Sequence, residues 1–263
     1  MIDRLFSLDG RVAVVTGGLG QLGRQFTATL ESAGARVAVL DQREAEETDT
    51  DHRLHVRADV TDRPSLERAI GHVEARWGSP HILINNAALD SPPGAPASAN
   101  GPFEDFPVDV WRSVLDVNVT GVFLCSQVVG GRLAAAGRGS IINIASIYGL
   151  VSPDQRIYEY RRERGEEFFK PAAYAASKSA LLNLTRYLAT YWAPSNVRVN
   201  TVSFAGVFND QDPDFLKEYT RRVPLGRMAR PDEYNGAILF LASDASSYMT
   251  GANLVLDGGY TAW

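Results

Sequence analysis

The chain has 263 residues, 45% hydrophobic and 22% charged, which fits a soluble globular protein with room for a sizeable core. A net charge of -5 argues against a general affinity for nucleic acid, and no apolar run reads as long enough to span a membrane, so neither partner is expected. The single cysteine, Cys125, excludes an intrachain disulfide and reads as a small buried hydrophobe, and four scattered histidines give no metal site.

Met1 to Arg11 carries Asp3, Arg4 and Asp9 and no secretory core, so a cytoplasmic location is expected. Arg11 to Thr16 reads as a buried strand. It runs into Thr16-Gly17-Gly18-Leu19-Gly20-Gln21-Leu22-Gly23 and then a helical pattern to about Ala33. Strand, glycine turn and helix in that order make a phosphate cradle, because glycines permit close backbone approach and the helix start offers N–H groups to a pyrophosphate. Gly17, Gly20, Gln21 and Leu22 are the candidate contacts.

Arg36 to Leu40 is a second strand ending at Asp41, whose carboxylate suits the ribose hydroxyls of NAD and would repel the 2′-phosphate of NADP. NAD is therefore the expected cofactor, with the nearby Arg43 as the argument for NADP. Leu54 to Arg57 is a third strand, followed by Asp59-Val60 and a helix from Pro64 to Trp77. His81 to Asn85 is a fourth, ending in Asn85-Asn86-Ala87-Ala88; these asparagines can support neighbouring loops or touch a cofactor.

Asp90 to Pro102 is rich in Pro, Gly and Ser and is expected to be irregular, as a lid or a plain loop. A long helix is expected from Asp109 to about Ala136, with Asn118 at an interior position that asparagine disfavours. Gly139 to Ala145 is the fifth strand, with Ser146 at its end. Ser152 to Lys170 is charged and aromatic and reads as partly helical; Arg156, Arg161, Arg162 and Arg164 either form a solvated face or grip an anion.

A helix from Pro171 to about Trp192 carries Tyr174 and Lys178, four apart and so on one face. A nearby ammonium favours a phenolate and is expected to draw the tyrosine pKa down from about 10, making an acid/base for a substrate oxygen. Val197 to Val202 and Leu254 to Leu256 complete about seven strands, with helices from Asp212 to Arg222 and from Pro231 to Ala242. Strands alternate with helices and no linker divides the chain. The expected fold is α/β: one Rossmann-like, doubly wound parallel sheet with helices on both faces, a single domain over residues 1–263.

Taken together, the glycine turn, Asp59-Val60, Asn85-Asn86-Ala87, Asn118, Ser146, Tyr174 with Lys178, Val199-Asn200, Thr250-Gly251 and Asp257-Gly258-Gly259 stand in a familiar order. The chain resembles the short-chain dehydrogenase/reductases over essentially its full length. The resemblance implies a hydride exchanged between a nicotinamide cofactor and a secondary alcohol or ketone. Tyr174 would be the acid/base, Lys178 would tune it and bind the nicotinamide ribose, and Ser146 would hold the reacting oxygen. Asn118 would carry a water in a proton relay. Asp59 and Val60 would flank the adenine, with Asn86, Ala87 and the backbone of Val207 as further cofactor contacts.

Three departures accompany it. Gln21 stands at the middle glycine position, and Gly17-x-x-Gly20-x-x-Gly23 is like the longer epimerase branch. Phe204-Ala205 replaces an expected Pro-Gly, and Asn209 an expected threonine. Ser152 to Lys170 is inserted between Ser146 and Tyr174, on the substrate side. The ending and the insert look like a subgroup of bacterial sugar and sialic-acid-like glycan pathways, which makes a sugar, sugar phosphate or nucleotide sugar the expected substrate class. The family implies a homo-oligomer, a tetramer or dimer, packed through the two long helices. The alternatives are an epimerase or dehydratase that retains its NAD, and a catalytically silent NAD sensor.

Overall fold

The computed structural model describes residues 2–90 and 94–263. Its strands are β1 (Val12–Thr16), β2 (Arg36–Asp41), β3 (Arg53–Arg57), β4 (Ile82–Asn85), β5 (Gly139–Ser146), β6 (Val197–Phe204) and β7 (Asn253–Leu256). They form one seven-stranded sheet in the order β3-β2-β1-β4-β5-β6-β7, and every pairing is parallel.

Strands buried on both faces need apolar residues at every position, because successive side chains alternate between two covered faces. In β1, Val12 and Val14 enter one core with Ile70, Leu83, Ile141 and Trp192. Ala13 and Val15 enter the other with Phe26, Leu30, Ile84 and Ile238. The sheet order reverses between β1 and β4, and ligands bind at the carboxyl ends beside such a reversal.

The sixth strand runs two residues beyond expectation, to Phe204. Unlike the proline expected thereabouts by resemblance, Phe204 can join the ladder; it pairs with Ser146 and Leu256 and stacks on Tyr234 with centroids 3.9 Å apart. Beneath the site, Asn85 Nδ2 donates to Asn143 Oδ1 at 2.8 Å, Asn143 Nδ2 to Thr185 Oγ1 at 2.8 Å, and Thr201 Oγ1 bonds Thr185 Oγ1 at 2.6 Å. This buried polar chain fixes the helix Ala172–Trp192 against the strand ends, since unmet buried polar groups are costly.

The long helix runs from Val108 to Ala135, and it widens to π turns at Asp116–Thr120 and Ser126–Gly130. By length and hydropathy it could cross a membrane, contrary to expectation. Half of its apolar window is buried, with Val114, Val122, Cys125, Val129 and Leu133 in the core, so it is a core helix of the sheet.

The segment Asp90–Pro102 is less irregular than its composition suggests. A 3-10 turn spans Ala97–Asn100 with Ala99 fully buried, and the Asn100 carbonyl accepts the Phe169 N–H at 2.6 Å. Ser91 to Pro93 lie outside the described residues. Within 152–170, a 3-10 turn (Gln155–Tyr158) leads into a helical turn (Glu159–Glu163), as expected.

Candidate active site

A cleft of about 480 Å³ opens at the reversal between β1 and β4. Its walls include Gly17, Gly20, Gln21, Leu22, Asp41, Asp59, Val60, Asn86 and Ala87, so these cofactor candidates of the sequence converge. Gly17 has φ +61, and a Cβ there would lie 2.8 Å from Ala87 Cα; a Cβ on Gly23 would run into the Gly17 carbonyl. The turn is thus pared to main chain. Gly20 caps the helix Gln21–Ser32 with no side-chain bond, so the first helical N–H groups have no side-chain acceptor there. This cradle fits the pyrophosphate of a dinucleotide.

Asn86 is mainly a brace. Its Nδ2 donates to the Thr16 and Gly17 carbonyls at 3.0 and 3.1 Å, while Thr16 Oγ1 accepts the N–H groups of Asn86 and Ala87. Gln21, at the departing glycine position, donates Nε2 to the Phe208 carbonyl at 3.0 Å and so ties the glycine turn to the loop after β6. Asp41 accepts the Leu19 N–H at 3.1 Å and the Arg43 guanidinium at 3.0 Å. Burial pushes its carboxyl up, but the Arg43 and Leu19 bonds outweigh that and hold it below the ordinary carboxylate value.

A second pocket of about 440 Å³ adjoins the cleft; Leu22, Asn86 and Ala88 wall both. Ser146, Tyr174, Lys178 and Val207 line it, so the catalytic candidates other than Asn118 meet there. The electrostatics differ from expectation. Lys178 donates Nζ to the Ile144 carbonyl at 2.8 Å and lies 5.7 Å from the Tyr174 ring centroid. Burial pushes the Tyr174 phenol up to about 12, Asp90 adding and the Ser146 hydroxyl opposing. Burial pushes Lys178 down to about 8. The expected fall in the tyrosine pKa is not found here, because desolvation is the largest influence on both groups.

Asn118 is fully buried in the first π turn. Its Oδ1 accepts the Leu89 N–H at 2.7 Å, and its Nδ2 donates to the Leu89 carbonyl and to Ser177 Oγ at 2.8 and 2.9 Å. Every side-chain bond it makes among the described residues braces the strand-end loop against the catalytic helix, and none reaches Lys178. A π turn suits this, since such bulges let a helix aim one side chain inward. Cys125 is buried, and its thiol is pushed up to about 12 by burial, as befits a small hydrophobe.

The four arginines of 152–170 do not grip an anion in the pocket. Arg156 pairs with Asp154 at 2.9 Å and Arg161 with Glu166. Arg162 donates to the Phe168 and Gln155 carbonyls at 2.9 and 3.0 Å, and Arg164 pairs with Asp212 and Asp214. Fork-shaped donors close to carboxylates and carbonyls of the same fold are satisfied locally. Arg156 and Arg164 keep much of their side chains in solvent, while Arg162 braces the segment through main-chain carbonyls.

Residues that sequence reasoning missed make the pocket wall: Tyr148, Tyr158, Phe215, Tyr219, Met228 and Lys170. Tyr158 sits 5.0 Å from Phe168 and 5.7 Å from Phe215 between centroids, and Tyr219 5.5 Å from Tyr260. Aromatic residues scattered over three segments carry no periodic signal. Lys170 offered one: it is among only three lysines and directly precedes the catalytic helix.

The family model described as enoyl-(acyl carrier protein) reductase matches residues 20–261. A cis-4-hydroxycyclohexanecarboxylate dehydrogenase of Sinomonas cyclohexanicum is 36% identical over 96% of this chain and 97% of its own. A short-chain dehydrogenase from Leptospira borgpetersenii, solved with bound NAD+, superposes with a TM-score of 0.86 at 34% identity, covering 99% of this chain and 96% of that one. A gluconate 5-dehydrogenase from Burkholderia cenocepacia, solved with NADP and tartrate, gives 0.87 at 29% identity with both chains fully covered.

Proposed function

This chain belongs to the short-chain dehydrogenase/reductase family, and from that premise we propose that Tyr174, Ser146 and Lys178 oxidise a secondary alcohol on a polyol-, sugar- or hydroxy-acid-like substrate with NAD. It is an NAD(P)-dependent oxidoreductase acting on CH–OH groups. The observation that carries the residue assignment is the shared wall of the two cavities, which sets Tyr174 and Ser146 where a dinucleotide running along the cleft would end. When bound, the nicotinamide supplies the hydride acceptor or donor.

Gly17, Gly20, Gln21 and Leu22 would hold the pyrophosphate, Asp41 the adenosine ribose, and Asp59 and Val60 the adenine side. The Ser146 hydroxyl would hold the reacting oxygen; Tyr174 as its phenolate would take the alcohol proton in oxidation, and as its hydroxyl would give one to the carbonyl oxygen in reduction. A phenol kept protonated by burial is ready to donate to a carbonyl. Accepting a proton requires positive charge beside it, which Lys178 supplies. Asn118 acts by holding Leu89 and the catalytic helix together.

NAD is favoured over NADP by the Asp41 carboxylate, its Arg43 partner already engaged, and by Glu44, Glu46, Glu47, Asp49 and Asp51 behind it. The match over the whole chain to dehydrogenases weighs against a retained-NAD epimerase or a silent sensor. We read all 263 residues as one domain and the protein as a cytoplasmic homo-oligomer. The helices Val108–Ala135 and Ala172–Trp192 expose Phe123 and the stacked pair Tyr187 and Tyr191, which suit a subunit contact.

The test is NADH formation from NAD+ against polyols, sugars, sugar acids and ring hydroxy acids, with Tyr174→Phe as control. Turnover lost in the variant supports the assignment; equal turnover would overturn it.

A further inference from the structure

The active-site pocket holds two ammonium groups near the Tyr174 ring. Lys178 belongs to the catalytic set. Lys170 lies in the segment inserted between Ser146 and Tyr174, and its Nζ sits 5.2 Å from the Tyr174 ring centroid. Its side chain is only 15% exposed. Ordering and burying a lysine is costly, so the elements that fix it are informative.

Three of them converge. The Lys170 N–H donates to Gln155 Oε1 at 2.8 Å and its carbonyl accepts from Gln155 Nε2 at 3.1 Å, so one amide side chain clamps both faces of the residue. The preceding Phe169 N–H is held by the Asn100 carbonyl. Pro171, directly after it, caps the catalytic helix. Lys170 is therefore placed by two loops and a helix start, while Asp90 is the sole acid paired with its ammonium among the described residues. The Asp90 side chain is 54% exposed and lines the same pocket, so the acid's side of the pair is open to solvent and to an exchanging anion.

The rest of the wall is mostly aromatic and apolar, with Tyr148, Tyr158, Phe215, Tyr219 and Met228 facing the cavity. The Tyr148 hydroxyl is buried close to those of Tyr158 and Tyr260. A cavity with a largely aromatic and apolar wall and a second ammonium beyond that of Lys178 suits an anionic molecule with an uncharged carbon frame.

Building on the reading above as a dehydrogenase, we propose that Lys170 is the docking cation for a substrate carboxylate, which takes the place of Asp90 on its ammonium. The preferred substrate class is then a hydroxy carboxylic acid, its carboxylate on Lys170 and its carbinol at Ser146 and Tyr174. A neutral polyol would leave the Asp90 pair in place.

The test uses matched pairs on the full chain with NAD+: cis-4-hydroxycyclohexanecarboxylate against its carboxamide, and gluconate against glucitol. Wild type should favour the acid of at least one pair by about tenfold or more in kcat/KM, and added salt should shrink the preference. Lys170→Met should bring that ratio near one through the KM of the acid, Lys170→Arg should restore most of it, and Asp90→Asn should lower the acid's KM. Lys217→Met, an exposed lysine away from the pocket, should leave the ratio alone.

Binding is measured separately, with cyclohexanecarboxylate against cyclohexanecarboxamide on the NADH-loaded protein by calorimetry. Tighter binding of the acid that is lost in Lys170→Met supports the docking site even where no alcohol is turned over, in which case the dehydrogenase reading alone fails. Equal or absent binding of the two probes in wild type, or a Lys170→Met loss shared by acid and amide alike, overturns the proposal.

Discussion

Between β1 and β4 the cofactor cleft is built around a bare glycine turn, whereas past β5 the substrate pocket is walled by rings. The first region is pinned by short neutral bonds at the strand ends, Thr16 to Asn86 and Ala87, and Asn86 back to Gly17. The second is held by charge. Arg222 reaches Asp154 at 2.7 Å, Arg164 joins Asp212 and Asp214, and Arg162 ties Phe168 to Gln155. A backbone wall recognises what every dinucleotide shares and fails only where a Cβ intrudes. A wall of side chains on inserted segments can change its ligand without disturbing the sheet.

The sharpest break between the two regions is at Tyr174, which serves both. Tyr174→Phe should lower kcat by about a thousandfold, within the range for a lost general acid/base, while cofactor affinity stays within about threefold. A kcat within tenfold of wild type would remove Tyr174 from the chemistry.

Lys178 separates them by pH. Its pKa is down to about 8 from 10.5, so between those values the unfolded chain holds a proton that the folded one has released. Stability of the cofactor-free protein should therefore rise across that window, by roughly 3 kcal/mol at the outside. Tyr174, raised from 10.0 to about 12, acts oppositely above pH 10, where the folded state keeps a proton that the unfolded one loses. Chemical denaturation of wild type against Lys178→Met from pH 7 to 10 checks this; the variant should lack the rise, and identical slopes would show that burial does not tune the lysine.

These two effects also mark what a sequence can reveal. Apolar strands, the glycine turn and Tyr174 with Lys178 are local patterns with fixed spacing, so the sheet and the convergence of Ser146, Tyr174 and Lys178 were legible before any coordinates. The direction of the Tyr174 shift was not, because it depends on how much water the folded pocket excludes. The role of Asn118 was partly legible: an interior helical asparagine demanded a reason, yet its bonds to Leu89 and Ser177 exist only in three dimensions. The arginines of 152–170 read as a solvated face, which the exposure of Arg156 and Arg164 fits, but their partners were not legible, since pairs such as Arg164 with Asp212 lie 48 residues apart in the chain.

The backbone wall predicts its own intolerance. Gly17→Val adds bulk at a positive φ and against Ala87, so it should cost about 2 kcal/mol of stability and weaken NAD by roughly thirtyfold. Phe215→Leu, in the ring wall, should instead redistribute KM among substrates with the Kd for NAD unchanged. Calorimetry with NAD on both variants decides it; a Phe215 variant that weakens NAD as much as the glycine variant would erase the distinction between the regions.

At Asp41 the cleft has a buried charged element, beside the more exposed Arg43 and Asp59. Asp41→Ala should weaken NAD by about tenfold, near 1.4 kcal/mol, and leave NADP no worse, because Arg43 is released toward a 2′-phosphate. Equal losses for both cofactors would mean that the carboxylate serves the loop through the Leu19 N–H and not the ribose.

The smallest effect is expected where the charged bracing is most exposed. Arg164 and Asp214 are about half exposed and Asp212 somewhat less, and pairs in such surroundings contribute little. Arg164→Ala should therefore shift the melting temperature by only a few degrees. Its KM should change by a similar small factor for acidic and neutral substrates alike, since the guanidinium faces the Pro213–Thr220 helix and not the pocket. A selective rise in the KM of an acid would show instead that this arginine turns inward once substrate arrives, and that the two regions share charge as well as a wall.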